Sequence, residues 1–431
     1  MRNRITYGQS YILCSQPPSY QDNTLNVSGL KRTQGCNIDF SFNRERFKQI
    51  GSEDFVGDVH LRNPNINFSF DYLYSNGTNE ALIGLNVDGY GGHAAKYLKK
   101  QNQDRNFYIV QGSGENDAPL EETTFLDGYT VMGLGNCYLN SYSLNAQIGV
   151  PVSVSTSFSA YNAQVDTYND SNGEYIPAVD TTDGLPKSEH KYKILTGNIS
   201  DTTSLDEYIP AALSPQEIQL QLPSNMNVAG LQFTGDGNMA HLQSVGVSFD
   251  IDRHDLYGFG SMYPYGRRAK LPILGRVNFS AIASDFTTGT LHTIINSGEL
   301  EFDFVFNFLD CSGATGLQLT VEKAKIDSEG FSEVIGNNAA YEVACSFPMS
   351  NATGLRLSTP PLILNHPSGP QANVTTTATG MTPITYKWYD ASDDTQVAVG
   401  SSFSAGAQGD YYCVAYNDLG SGVSRTTHID V

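Results

Sequence analysis

Positive charge is scarce in this sequence. Only 25 Lys and Arg stand against 45 Asp and Glu, a formal net charge of −20 over 431 residues. Sequence-independent affinity for nucleic acid comes from cations that displace phosphate counterions. The balance therefore argues against a phosphate-gripping surface, although DNA can still be a neighbour that is kept from sticking. Long apolar runs are missing too: no stretch approaches the roughly 20 apolar residues of a membrane-spanning helix. The opening MRNRITYGQSYILC has basic residues without an apolar core behind them, so neither an export signal nor a membrane contact is expected. The six cysteines (14, 36, 137, 311, 345 and 413) stand singly, with no C-x-x-C pair. That spacing speaks for free thiols in a reducing compartment. There is no G-x-S-x-G elbow, H-E-x-x-H, Walker loop or EF-hand loop, so no catalytic, cofactor or metal residue is assigned and no enzyme is expected. His93, His241 and His254 lack partners at metal spacing and read as surface or packing residues.

What is present is glycine (41), Tyr (25) and Phe (21) with few helix-favouring runs, which points to an all-β protein with many turns. The chain also says one thing twice. Asn37–Ser52 reads NIDFSFNRERFKQIGS and Gly246–Ser261 reads GVSFDIDRHDLYGFGS. Phe40 falls on Phe249, Arg44 on Arg253 and Gly51–Ser52 on Gly260–Ser261, all 209 residues apart. Allowing a loop two residues longer in the second copy, Asn67–Phe68–Ser69 falls on Asn278–Phe279–Ser280 and Gly77–Thr78 on Gly289–Thr290. A repeat this long indicates a duplicated β domain rather than a solenoid.

Taken in order, 1–36 reads as an N-terminal arm to a first domain ending near 161. Ile38, Phe40 and Phe42 alternate with polar residues, as do Ile66, Phe68 and Phe70, the period of half-buried strands. Short helices are expected at Glu80–Leu85 and His93–Lys100. Residues 162–216 read as an exposed acidic insertion or connector, with nine acids against Lys187, Lys191 and Lys193 over 162–210. A second domain follows over 217–358, with Val247, Phe249 and Ile251 alternating and Phe302, Phe304, Phe306 and Phe308 along one face. Pro360–Pro361 marks a linker to a small sandwich over 359–431. There Trp388 precedes Cys413 by the spacing of an immunoglobulin core, and Tyr411, two residues before that Cys, fits a tyrosine corner. The first immunoglobulin Cys is missing, so the inter-sheet disulfide is not expected.

Cations in so acidic a chain are informative. Arg44 and Arg253 sit at one phase of the repeat, and two roles stand open for them. Each is either a strand-end arginine held by a carboxylate of its own domain or a fork across a subunit interface. Arg267, Arg268 and Lys270 lie in the second of two long loops, 52–64 and 261–275. Loops of that length tend to be functional, so these three are candidates for a contact between stacked rings.

The stretch LKRTQGCNIDFSFNRERFKQIGS, repeated loosely as HLQSVGVSFDIDRHDLYGFGS, resembles the tail tube (major tail) proteins of long-tailed bacteriophages. The order of an alternating strand, an Arg, an apolar residue, a Gly and a long loop occurs twice, as Arg44, Phe47, Gly51, Pro64 and as Arg253, Leu256, Gly260, Gly275. The resemblance implies two tail-tube-like β-sandwich domains in one chain, plus the immunoglobulin-like domain that several such proteins display outside the tube. It implies a structural virion protein of the phage tail, assembled in the host cytoplasm. Its partners would be copies of itself in trimeric, pseudo-hexameric rings, and the tail terminator, tape measure and tail tip proteins. DNA would pass an electronegative channel without specific binding, and the immunoglobulin-like domain would touch host surface glycans. The alternative is a receptor- or carbohydrate-binding β-sandwich protein on a phage or cell surface.

Overall fold

The computed structural model describes residues 10–15, 24–25, 27–42, 44–60, 65–88, 93–100, 103–111, 130–167, 175–179, 181–182, 185–186, 191–194, 218–221, 242–261, 263–282, 301–309, 315–332, 340–350, 353–365, 367, 373–424 and 426–430. The protein is all-β and almost entirely antiparallel. Nine principal strands come from the first half of the chain: β1 (Ser10–Ser15), β2 (Thr33–Ser41), β3 (Arg44–Lys48), β4 (Phe55–His60), β5 (Asn65–Leu73), β6 (Arg105–Gln111), β7 (Thr130–Gln147), β8 (Val150–Ala160) and β9 (Asn162–Thr167). One helix, α1 (Thr78–Leu82), follows β5. Nine more strands come from the second half: β10 (Ile218–Gln221), β11 (Leu242–Asp250), β12 (Arg253–Leu256), β13 (Gly266–Ala269), β14 (Leu274–Ile282), β15 (Phe302–Leu309), β16 (Thr315–Ser332), β17 (Ala340–Pro348) and β18 (Leu355–Ser358).

The two sets pair alike. β2–β5–β8–β7 form one sheet of the first half, and β11–β14–β17–β16 its counterpart in the second. β1, β6 and β9 gather on the N-terminal part of β7, as β10, β15 and β18 gather on β16. β7 and β16, 18 residues each, run through both sheets of their half. Each half is thus a sandwich folded along one long strand.

That fold line is made the same way twice. β7 bulges at Asn140 opposite β8, and β16 bulges at Asp327 opposite β17, 187 residues further on. Asn136 and Lys323, again 187 apart, take positive φ of 49° and 57°. A side-chain oxygen holds each of their amides: Asn106 Oδ1 accepts from Asn136 N at 3.0 Å, and Asp303 Oδ1 accepts from Lys323 N at 2.8 Å. The left-handed backbone costs roughly 1–2 kcal/mol for a residue with a Cβ, and these bonds offset it. The cores match as well. Phe70 and Phe107 lie 5.7 Å apart in the first half, and Phe279 and Phe304 lie 5.7 Å apart in the second.

The structure corrects the sequence alignment beyond Ser52. Arg44 faces His60 across the β3–β4 hairpin and Arg253 faces Ala269 across β12–β13, so both hairpins have one length and the spacing of 209 persists. Ile38 faces Phe68 while Val247 faces Val277, which makes Val277, not Phe279, the counterpart of Phe68. A slip of two residues leaves every side chain on its own face, so the apolar pattern could not reveal it. The expected match of Gly77–Thr78 with Gly289–Thr290 lies outside the described residues. Gly51 and Gly260 turn the two hairpins at φ of 93° and 83°, with open space around each, so backbone conformation rather than crowding requires glycine.

Four further expectations change. Residues 10–15 are no arm, because β1 pairs with β6 and buries Ile12, Leu13 and Cys14. The stretches 52–64 and 261–275 are not irregular loops but contain the return strands of the two hairpins; the first hairpin is exposed on both faces, which removes the usual alternation, and the second is too short to show it. The helix expected at Glu80–Leu85 starts two residues earlier, and His93–Lys100 is a run of turns. Of its backbone amides, Ala94 N donates away to Leu355 O at 2.6 Å, while Lys96 N and Lys100 N close only three-residue turns on His93 O and Tyr97 O, each at 3.0 Å; the Lys99 ammonium ties the run to Met349 O at 2.7 Å. The acidic stretch is not wholly exposed either. β9 pairs with β7, and Ile176, Ala178 and Val179 join a small core with Leu13, Val27 and Tyr108.

Beyond Pro361 lies an immunoglobulin-like sandwich: β19 (Leu362–Asn365), β20 (Asn373–Thr375), β21 (Thr377–Thr379), β22 (Thr385–Asp390), β23 (Gln396–Val399), β24 (Ser402–Ser404), β25 (Gly409–Asn417), β26 (Gly420–Val423) and β27 (Thr427–Ile429). Trp388 and Cys413 face each other on β22 and β25, with Trp388 fully buried against Phe403 and its Nε1 donating to Gly400 O at 2.9 Å. Val374 of β20 lies in the same core, and Cys413 is a free thiol that burial pushes up to about 11. Tyr411 Oη donates to Ala407 O at 3.0 Å, which makes the tyrosine corner.

Candidate assembly interface

The two halves meet edge to edge. β11 pairs with the C-terminal part of β7, with Val247 opposite Leu144, Phe249 opposite Tyr142 and Asp250 opposite Ser141. Two further bonds extend this junction, Ile251 N donating to Asn140 O at 2.6 Å and Ile148 N to Gln243 O at 3.1 Å. Its inner face is dry: Val245, Val247, Phe249 and Ile251 are each 1% exposed, and the Tyr142 and Phe249 rings stack at 5.5 Å. Below Tyr142 lies the buried Glu80, whose Oε1 accepts from Tyr72 Oη at 2.6 Å and Tyr142 Oη at 3.3 Å. Burial pushes the Glu80 carboxyl up to about 7, against these hydrogen bonds, which act the other way.

Each end of the joined sheet stops at an edge. Among the described residues β2 has β5 on one side and no strand on the other, and the stretch 325–332 of β16 has only β17. The β2 edge carries Cys36, Ile38, Phe40 and Phe42 where the junction carries Val245, Val247, Phe249 and Ile251. Phe40 is 46% and Phe42 58% exposed. At the other end Phe331 is 45% exposed where its counterpart Leu144 is fully buried. Burying one such side chain contributes about 1.5–3 kcal/mol, and an apolar open edge invites pairing unless something covers it.

The hairpins stand beside these edges. β3–β4 exposes Phe47, Ile50, Phe55, Val56 and Val59. Arg44 on this hairpin meets Asp58 at 3.6 Å, with both side chains half exposed, so its partner is a carboxylate of its own half. Arg253 behaves differently. It crosses the junction, donating from Nη2 to Leu98 O at 2.7 Å and from Nε to Leu139 O at 3.4 Å, with its guanidinium over the Tyr138 ring. Burial pushes Arg253 down to about 10.

Arg267, Arg268 and Lys270 do not form one basic patch. Arg267 is buried, bound in a fork to both Asp255 carboxylate oxygens and donating to Ser159 O at 3.1 Å, with its guanidinium 4.6 Å from the Tyr161 ring. Burial opposes its charge, but the Asp255 bonds outweigh that and hold it above its ordinary value. This corrects the expectation of three cations free for a neighbouring ring. Arg268 is exposed, and Lys270 makes only a loose exposed pair with Asp252 at 3.9 Å. The sequence showed Ile38, Phe40 and Phe42 as an alternating strand but not as an open edge, and it did not single out Cys36 or Phe331 as edge residues or Glu80 as a buried acid. The repeat held a signal at Cys36 and Phe42, which sit where their copies have the plain aliphatics Val245 and Ile251.

Among the described residues there is no group of three or more His, Cys, Asp or Glu placed to hold a metal ion, and no helix long and apolar enough to cross a membrane. No protein-family model and no curated protein matches the sequence. Solved structures do. The virion of a native gene transfer agent particle is similar over 34% of this chain and 100% of its own, at 14% identity and a TM-score of 0.24. The tube-terminating cap of the anti-feeding prophage is similar over 36% of this chain and 95% of its own, at 12% identity and a TM-score of 0.23. The N-terminal Ig1-2 module of the Drosophila receptor protein tyrosine phosphatase DLAR covers 30% of this chain and 89% of its own, at 15% identity and a TM-score of 0.14. A virion particle and a tube-terminating cap are thus among the neighbours, as are immunoglobulin domains. None is close enough to lend its role to this chain.

Proposed function

We propose that this chain is a structural subunit of a bacteriophage-type tail, and that copies of it join into rings that stack as a hollow tube. The observation that supports this most is the junction of β7 with β11. The chain already joins two like units edge to edge, and it presents one further edge at each end, with exposed Phe40 and Phe42 on one and exposed Phe331 on the other. Contacts of this head-to-tail kind close by rotation into rings. Three chains would supply six like units, a trimer with pseudo-sixfold symmetry. The two halves (about 1–161 and 217–358) would form the ring and 359–431 would lie outside it. A net charge of −20 offers DNA phosphates few cations to hold them, which suits passage along a channel rather than binding. The tail terminator, tape measure and tail tip proteins would be its partners in a virion tail assembled in the host cytoplasm, and no reaction is assigned to it. Purified protein is expected to form rings or tubes in electron micrographs, with threefold averages showing six similar lobes. Six complete chains per ring would defeat the fused-pair argument, and a strictly monomeric protein would defeat the whole proposal.

One observation favours the alternative of carbohydrate binding, and it concerns the C-terminal sandwich alone. Tyr389 and Tyr412 stack at 5.4 Å on partly exposed positions of β22 and β25, with Tyr416 Oη 3.2 Å from Tyr389 Oη. Such a platform suits the apolar face of a sugar ring. Binding of the full chain to arrayed host glycans, lost on Tyr412→Ala, would assign it that role.

A further inference from the structure

We infer that neighbouring copies join by repeating the internal junction: β2 of one chain pairs antiparallel with residues 328–331 of β16 of the next, in the register that β11 keeps with β7. This rests on the ring-forming role proposed above and specifies its contact. The register follows from two spacings already on the page. β2 maps onto β11 at 209 residues, through Arg44 and Arg253, and β7 maps onto β16 at 187 residues, through the bulges at Asn140 and Asp327. Since Val247 faces Leu144, Phe249 faces Tyr142 and Asp250 faces Ser141, Ile38 should face Phe331, Phe40 should face Glu329 and Ser41 should face Ser328 of the neighbour.

Three observations converge on this pairing. Phe40, Phe42 and Phe331 are each about half exposed, whereas their counterparts Phe249, Ile251 and Leu144 are shut inside the internal junction. Arg253 crosses that junction to the Leu139 carbonyl. Arg44 holds the same position on β3 and would reach the carbonyl of Ile326, the counterpart of Leu139. The third is charge. Across the internal junction Arg267 lies 5.3 Å from the Tyr138 ring. In the other hairpin the place of Arg267 is taken by Asp58, and in β16 the place of Tyr138 is taken by Lys325, both exposed. An arginine over an aromatic ring inside the chain becomes an acid facing a lysine between chains. The two edges therefore match where Ile38 would meet Phe331 and in the opposite charges of Asp58 and Lys325.

Cysteine cross-linking in full-length protein carrying Cys36→Ser tests the register. Directly opposed residues in an antiparallel ladder have Cα atoms about 4.5–5.5 Å apart, within disulfide range. Oxidation of the Ser41→Cys, Ser328→Cys double variant should give a ladder of covalent oligomers, and a mixture of the two single variants should stop at heterodimers. Ser41→Cys with Gly330→Cys, two residues out of register, should give at least tenfold less product. Rings or tubes without the 41–328 bond would overturn this register and leave the tail reading standing. Cross-linked oligomers that never become rings or tubes would uphold the edge pairing and sink the tail reading. Neither oligomers nor cross-links would overturn both. Independently, Asp58→Lys should raise the protein concentration needed for assembly severalfold, and adding Lys325→Asp in the same chain should restore it. Failure of that rescue, with both variants folded, would remove the charge pair from the contact.

Discussion

At the scale of single residues, the most consequential group outside the edges is Glu80. Its carboxyl is held near 7 by burial, above its unfolded value of 4.5, so the folded protein prefers the protonated acid. The stability this contributes is fully present below about 4.5 and is lost as pH rises towards 7. The shift corresponds to on the order of 3 kcal/mol between those limits. Glu80→Gln keeps the acceptor for Tyr72 and Tyr142 and removes the titration. Its melting temperature should be nearly flat from pH 5 to 8 and exceed that of the unsubstituted protein at pH 8; thermal unfolding at several pH values checks this, and an unchanged pH slope would refute it. Nothing in the sequence marked this residue, because a lone Glu at a helix start looks solvated until Tyr72 and Tyr142 are seen to close over it. Trp388, Tyr411 and Cys413 were legible for the opposite reason. Their spacing is dictated by one sheet, so it can be read without tertiary information.

At the scale of elements, the hairpins explain why a basic cluster in sequence is not one in space. Along β13 successive side chains point to opposite faces, so Arg267 turns inward to Asp255 while Arg268 turns to solvent. Arg267→Ser should strand the Asp255 carboxylate and destabilise the fold by about 2–4 kcal/mol, since removing one partner of a buried ion pair leaves an uncompensated charge. Arg268→Ser and Lys270→Ser should each stay within about 0.5 kcal/mol and alter only the salt dependence of assembly. Urea midpoints, with light scattering across ionic strengths, separate the two behaviours. If all three substitutions prove equally mild, Arg267 does not clamp the hairpin. The strands of the sandwich cores were legible from alternation at Phe68, Phe70, Val247 and Phe249. Those of the hairpins were not, because β3 and the described part of β4 are exposed on both faces and carry no period to read.

For the whole molecule, the Pro360–Pro361 segment is less a hinge than a clasped joint. Met381 N donates to Thr359 O at 3.0 Å, Asn417 Nδ2 donates to the same oxygen at 2.9 Å, and a Cβ at Gly422 would sit 2.1 Å from Pro361 O. These contacts belong to the C-terminal sandwich, which has its own core around Trp388. A chain ending at Ser358 should accordingly fold and still assemble; a soluble, folded truncation that does not assemble would place the C-terminal sandwich in the ring wall. The duplication was legible in sequence because Arg44 and the Gly51 turn recur, whereas the edge-to-edge join of β7 with β11 was not, since strand pairing leaves no trace in either strand alone. That join also has a kinetic meaning. Fusing two units makes every second contact of a ring unimolecular, formed as the chain folds and indifferent to dilution. A ring of six units then needs three partners to meet instead of six. Early in expression, when copies are few, closed rings would nucleate at concentrations where separate half-sized subunits would still be dispersed.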